Sequence, residues 1–497
     1  MVNGGAATGG TSRRLRPPAG PWLLALSIVV GAALRFYRLG ADSLWVDEFA
    51  TLDLARHSPS DIVHLSSGTN FIPPLYFLLV HAALRTLGES EFSLRLLSAV
   101  AGICTIAVAW LLTRNITRSV TAAGSMAGLL AISPLHLWYS QEARPYALLL
   151  FFACCALLSL ERATRTNSVL AWTLFTLSGA LAFLTHTTAV IIGAIAFAWV
   201  LSTPDRRHLA KPFFVSSIAA SIICAPAAFS VMRQGAFHTA PKELTGLEIP
   251  YSLLTYVGGY SFGPSPRDIQ DMGALAALRS NLFQSATAAV ALTGVIAMSW
   301  LNRRSAMMPF VALFGISLAG IIILSAVSGK PYNVRYTLPS LVGFLGVVSI
   351  AVLPLQRSLR AFTLAVLVSI GLVADAQWFW SPRYWKEDSR AAVTWLANRL
   401  PSGASVAVAP SYSISSLRYY AAKAGADLHM NSASGSAGWD PIEGPDALVL
   451  TRLHHVPDWR ELRARFLRHA GTTVVEGEVE GYRLLIRAQR KATNLTP

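Results

Sequence analysis

"FIPPLYFLLVHAALRTLG", residues 71–88, is apolar enough to enter a membrane, and whether it crosses decides which side every later loop faces. A span needs about 20 mostly apolar residues. This stretch is shorter, opens on Pro73 and Pro74, and carries His81 and Arg85 in its body. Read as a helix at the outer interface, it leaves eleven candidate spans, roughly 21–38, 94–113, 121–138, 144–160, 168–184, 188–203, 212–231, 283–301, 307–327, 337–354 and 360–380. With that count the basic loops share one face. They hold Arg13, Arg14 and Arg16; Arg114 and Arg118; Arg162 and Arg165; "DRRHLAK"; Arg303 and Arg304; and Arg357 and Arg360. Positive charge collects on the cytoplasmic side of short loops, so this face and the N-terminus are read as cytoplasmic. A crossing at 71–88 would reverse every later loop.

The composition agrees. Of 497 residues, 53% are hydrophobic and only 13% charged, and mean hydropathy is +0.47. Soluble domains carry about 25% charge. The net charge of +15 lies in loops between apolar runs, the topology signal of a polytopic membrane protein, so nucleic acid is not expected as a partner. Cys104, Cys154, Cys155 and Cys224 lie in or beside apolar segments, with no metal or disulfide spacing. Residues 1–20 read as a disordered cytoplasmic tail. The apolar run from Trp22 lacks a cleavage site and reads as a retained helix rather than a signal peptide.

The opposite, extracytoplasmic face collects a first outer loop with interfacial helices (39–93), "YSQEARPY" (139–146), His186, a loop from about 232 to 282, "GKPYNVRY" (329–336) and everything after Trp380. Residues 381–497 are no longer membranous. Helical spacing in "EDSRAAVTWLANRLPSG", "SISSLRYYAAKAG" and "WRELRARFLRHAG" alternates with strand patterns in "ASVAVAP" and "DALVL" and a hairpin-like pair in "GTTVVEGEVEGYRLLIRA". That alternation predicts a soluble α/β domain. It lacks a nucleotide fingerprint and is assigned no chemistry, although its side of the membrane suits acceptor selection.

Three outer-face features carry chemistry. Asp47 and Glu48 follow Trp45 in "SLWVDEFATL" (43–52). A carboxylate there can take the proton of an attacking hydroxyl, with Glu48 raising one of the two pKa values or sharing a cation. Asp47 equally suits an N-cap or first helical turn. Glu142 and Arg144 stand at the mouth of two spans among Trp138, Tyr139 and Tyr146, as a charged site or an aromatic belt with a local ion pair. Lys330 and Arg335, flanked by Tyr332 and Tyr336, run against the positive-inside trend and suit an anion such as phosphate, or a helix end where they snorkel. His81 and His186 are read as weaker candidates. Carboxylates facing cations at the membrane surface fit an amphiphile with its phosphate at headgroup level. Arg335 and Lys330 would hold that phosphate as the leaving group.

The order of "LWVDEF", "NFIPPLYFLL", "RLLSAVAG", "SPLHLWYSQEARPYALL", "FLTHTT" and "RYTLPSL" resembles GT-C superfamily glycosyltransferases, the group that includes protein O-mannosyltransferases and the lipid A aminoarabinose transferase. The resemblance covers about residues 21 to 380. It implies a GT-C fold and inverting transfer of a sugar from a polyprenyl-phosphate donor to an extracytoplasmic hydroxyl acceptor at a bacterial cytoplasmic membrane. Asp47 would be the base, with Glu48 beside it and Glu142 as a second acidic group. Lys330, Arg335, Tyr336 and Arg144 would lie at the lipid phosphate or donor, and Trp45, Tyr139 and His186 would meet the acceptor or line the pocket. Many relatives carry His before the paired prolines, where this chain has Ile72. No obligatory cofactor or metal ligand is expected, with a divalent metal left open. The sugar, the acceptor and the oligomeric state are not legible. The rival class is a transporter or lipid-linked-sugar flippase, which would show inverted repeats; none is evident.

Overall fold

The computed structural model describes residues 19–70, 72–203, 207–233, 246–328, 331–433, 444–470 and 474–487. Of the expected tail, residues 1–18 lie outside the described residues, while Ala19 and Gly20 already begin the first helix, Ala19–Phe36. Every predicted span coincides with helix. By length and composition, seven helices among the described residues can cross a bilayer: Glu91–Thr117, Tyr146–Thr166, Arg207–Arg233, Leu282–Leu301, the run Ser305–Val327, the run Val334–Ala351 and Arg357–Trp380. The first helix, Val169–Thr185 and Val190–Ser202 are apolar but shorter.

The span expected at 121–138 is broken. Val120–Ala131 and Pro134–Ser140 meet at an angle of 58°. Pro134 has no N–H to give the Leu130 carbonyl, and a proline fits the first turn of a new helix better than the middle of an old one. Arg35, fully buried, takes over the freed carbonyls. Its guanidinium donates to Leu130 O at 3.3 Å and Ala131 O at 2.9 Å, and also to Ser140 Oγ at 3.2 Å. The break turns the chain so that residues 141–145 face the site described below.

The 71–88 stretch holds a 13-residue helix, Leu75–Leu87. At 1.5 Å per residue this spans about 20 Å, short of the roughly 30 Å hydrocarbon core. Arg56 before it and Glu89 after it form a 2.6 Å ion pair, and His81 Nδ1 meets Ala55 O at 2.9 Å. The ion pair joins the end of Leu75–Leu87 to the end of Val46–Ala55, an arrangement that agrees with a helix at the interface. His81 is accounted for by that backbone contact.

The C-terminal domain is a five-stranded sheet in the order β2-β1-β3-β5-β4, with β1 Ala404–Ala409, β2 Leu428–Ser432, β3 Ala447–Thr451, β4 Val474–Val479 and β5 Tyr482–Arg487. β1 runs parallel to β2 and β3, while β5 is antiparallel to β3 and β4. Alternation with period two divides the side chains between faces. Val406, Val408, Val449 and Leu484 pack with the helices Ser389–Ala397 and Ile414–Lys423. Ala407, Leu448, Leu450 and Leu485 pack with Trp459–Ala470. The first of these cores is continuous with Leu44, Leu52 and Phe77 of the membrane part, so the domain sits on the 39–93 segment. Glu91 fastens it there. It accepts from Arg390 at 2.5 Å and from the Tyr420 hydroxyl at 3.0 Å, with Lys423 at 3.4 Å.

Candidate active site

The helix Val46–Ala55 begins at Trp45, which makes no side-chain cap. Asp47, in the first turn, therefore does not serve as an N-cap. Neighbouring residues of a helix point about 100° apart, and Asp47 and Glu48 diverge accordingly. Glu48 is fully buried. Arg95 Nε and Nη2 donate to its two oxygens at 2.8 and 2.7 Å, and the Ala143 N–H donates to Oε1 at 2.9 Å. Its acceptor capacity goes into joining three segments.

Asp47 keeps 28% of its side chain exposed and meets Arg335 Nη1 at 3.1 Å through Oδ2. Arg144 Nη1 donates to the Asp47 carbonyl at 3.2 Å. The expected like-charge elevation does not arise. Burial alone would push the Asp47 carboxyl up, but Arg144, Arg335 and Arg452 together hold it below its usual range. Glu48 is likewise pushed up by burial and then held low, chiefly by Arg95.

Glu142 follows the break, in the turn between Pro134–Ser140 and Tyr146–Thr166. It is 1% exposed; Lys386 Nζ lies 3.2 Å from Oε2 and Trp138 Nε1 donates to the same oxygen at 3.1 Å. Oε1 has no partner among the described residues. Here burial wins: it raises the Glu142 carboxyl, Lys386 offsets part of that, and Glu48 and Asp47 add to it.

Arg335 stands on the turn Val334–Thr337 beside Tyr336, its guanidinium 5.4 Å from the Tyr146 ring centre and 5.3 Å from that of Tyr336. An aromatic row continues behind it. Tyr146 lies 5.6 Å from His186 and 5.4 Å from Tyr139, and Tyr336 lies 5.5 Å from His186. The Tyr139 and Tyr260 hydroxyls meet at 2.8 Å. Lys330 lies outside the described residues.

The site thus gathers Asp47, Glu142, Arg144, Arg335, Tyr336, Trp45, Tyr139 and His186 at one end of the bundle. Two cations that sequence reasoning missed complete it. Lys386, just past the last helix, lies 5.0 Å over the Trp45 ring, 4.9 Å over Trp138 and 5.9 Å over Trp378. Arg452 follows β3, sits 5.0 Å from the Trp45 ring centre, and donates to Glu387 Oε1 at 2.9 Å. Its φ of +43° is unusual for a residue with a Cβ, the kind of strain that persists where surroundings enforce it. The C-terminal domain therefore brings a positive charge up to Trp45 and Asp47. The density of charge in "YWKED" at the exit of a span was a readable signal for Lys386; Arg452 had none. Among the described residues, no group of three or more His, Cys, Asp or Glu side chains is placed to hold a metal ion. Asp47 and Glu142 are each engaged by a cation, Arg335 and Lys386 respectively.

Residues 72–229 match the family described as dolichyl-phosphate-mannose-protein mannosyltransferase. Over its whole length the chain is similar to solved structures at low identity. ArnT from Cupriavidus metallidurans in the apo state superposes with a TM-score of 0.58 at 14% identity, covering 95% of this chain and 99% of that one. The same protein bound to undecaprenyl phosphate gives 0.54 at 14%, covering 97% and 100%. The oligosaccharyltransferase AglB from Archaeoglobus fulgidus, in complex with an inhibitory peptide and a dolichol-phosphate, gives 0.52 at 13%, covering 96% and 75%. No match was found among curated protein sequences. The shared fold and the family match over residues 72–229 agree with the expected resemblance to GT-C glycosyltransferases.

Proposed function

We propose that the chain transfers a sugar, with inversion, from a polyprenyl-phosphate donor to a hydroxyl acceptor on the extracytoplasmic face of a bacterial cytoplasmic membrane, with Asp47 as general base. The observation that carries this reading is the Asp47–Arg335 pair, a carboxylate 3.1 Å from a guanidinium of the kind that suits phosphate, at one end of apolar helices. The acceptor oxygen attacks the anomeric carbon and gives its proton to Asp47. The bond from that carbon to the phosphate oxygen breaks, and its electron pair stays on the polyprenyl phosphate. The phosphate gains one negative charge, which Arg335 and Arg144 are placed to stabilise.

The pair also suggests an order of events. A carboxylate held low by arginines is a weak base. A phosphate arriving at Arg335 draws that cation away, and the proton affinity of Asp47 rises only when donor is bound. Lys330 is proposed to act with Arg335 at the phosphate, Tyr336 to flank it, and Tyr139 and His186 to line the pocket behind. The resemblance to ArnT bound to undecaprenyl phosphate supports the donor class. No step is routed through a metal.

The test is native membranes containing the protein, which carry the endogenous acceptors, offered a panel of radiolabelled polyprenyl-phosphate sugars. The reading expects release of polyprenyl phosphate and a labelled glycoside of inverted anomeric configuration. Movement of an intact lipid-linked sugar across the bilayer, with no glycosidic product, would replace it with the flippase reading.

A further inference from the structure

Glu142 and Trp45 share a peculiarity that the proton transfer above does not use. Each presents a buried polar atom with no partner among the described residues: an acceptor, Glu142 Oε1, and a donor, Trp45 Nε1. Both side chains converge on the ammonium of Lys386, which lies 3.2 Å from Glu142 Oε2 and 5.0 Å from the Trp45 ring centre. Buried polar atoms are satisfied in the great majority of cases, so two orphans of opposite kind beside one cation need an explanation. A hydroxyl donates and accepts through a single oxygen. The surroundings suit what carries it. Trp138 lies 4.1 Å from Trp378 and 5.2 Å from Tyr260, ring centre to ring centre, giving flat apolar faces against which the C–H face of a sugar ring can pack. Asp47 and Arg335 act electrostatically on Glu142, so this polar corner neighbours the Asp47–Arg335 pair.

We infer that Glu142 Oε1 and Trp45 Nε1 form the subsite for a hydroxyl of the transferred sugar, with Lys386 holding Glu142 in place. The inference rests on the donor being a polyprenyl-phosphate sugar. It implies selection for a sugar whose ring carries a free hydroxyl at that corner. Sites built to hydrogen-bond a hydroxyl reject an analogue lacking it by up to about 10⁴-fold or more.

The experiment measures binding of three probes, undecaprenyl phosphate, undecaprenyl phosphate mannose and undecaprenyl phosphate arabinose, to wild type, Glu142→Gln and Trp45→Phe. The expected result is that wild type binds at least one of the sugar-bearing lipids about 10-fold or more tighter than the bare lipid phosphate, in line with a hydrogen-bonded hydroxyl. Each variant erases that difference while binding undecaprenyl phosphate as wild type does, which also shows that the variants are folded. A difference that survives both substitutions, or a wild type that binds neither sugar-bearing lipid better than the bare one, overturns the subsite while leaving the donor class standing. A wild type that does not bind undecaprenyl phosphate overturns the donor reading and the subsite with it.

Discussion

Adjacent residues of like charge do opposite work here. Glu48 is sealed against Arg95, and breaking a buried pair by removing one partner costs about 3–5 kcal/mol. Glu48→Ala is therefore predicted to lower the thermal midpoint sharply in detergent. The pH dependence follows from the sign of its shift. Its folded-state pKa lies below the unfolded value of about 4.3, so its contribution is complete above that pH and is lost as pH falls through the folded value. A midpoint measured from neutral to acid should fall in wild type and change less in Glu48→Gln. For Asp47 the readout is activity. Arg144, Arg335 and Arg452 lower it while Glu142 and Glu48 stand nearby, so the acid limb of kcat/KM is expected below the ordinary carboxylate range. Replacing Arg452 with Gln should move that limb to higher pH.

The elements that position these residues were legible to different degrees. Long apolar runs gave helices where expected, and the alternating tail gave its sheet, except for β2. That strand, "LHMNS", buries only Met430 fully, and its alternation rests on just two apolar residues, Leu428 and Met430. The broken span was missed because hydropathy averages over a run, whereas the break follows from one missing N–H at Pro134 and a buried arginine 95 positions away in sequence. Helix contacts around Arg35 are correspondingly close: a Cβ on Gly102 would collide with Ser140 Oγ. Overpacking of this kind typically costs 1–3 kcal/mol, so Gly102→Ala should destabilise the protein by about that amount. If Leu75–Leu87 lies at the outer interface, cysteines placed at 114–118 should be labelled from the cytoplasmic side alone, and labelling from outside would reverse the topology.

At the scale of the molecule, the site is a junction of three bodies of chain: the first outer segment, the helix mouths and the C-terminal domain. Asp47 and Glu142 were recognisable because a carboxylate is conspicuous in a chain this poor in charge. Arg452 was not, because one arginine among many in a soluble domain carries no mark until the domain is folded and docked. If docking completes the site, loosening it should cost activity without touching the chamber. Glu91→Ala removes the acceptor shared by Arg390, Tyr420 and Lys423. It is predicted to speed limited proteolysis of residues 381–388 and to reduce transfer.

The central claim is that Asp47 takes the acceptor's proton in a glycosyl transfer. Single-turnover transfer from a bound polyprenyl-phosphate sugar, in wild type and Asp47→Asn at equal donor occupancy, tests it most directly. General-base catalysis is worth about 10²–10⁴-fold. The account predicts a loss of that size with donor still bound. Transfer at the wild-type rate in Asp47→Asn would contradict it and move the base elsewhere in the chamber.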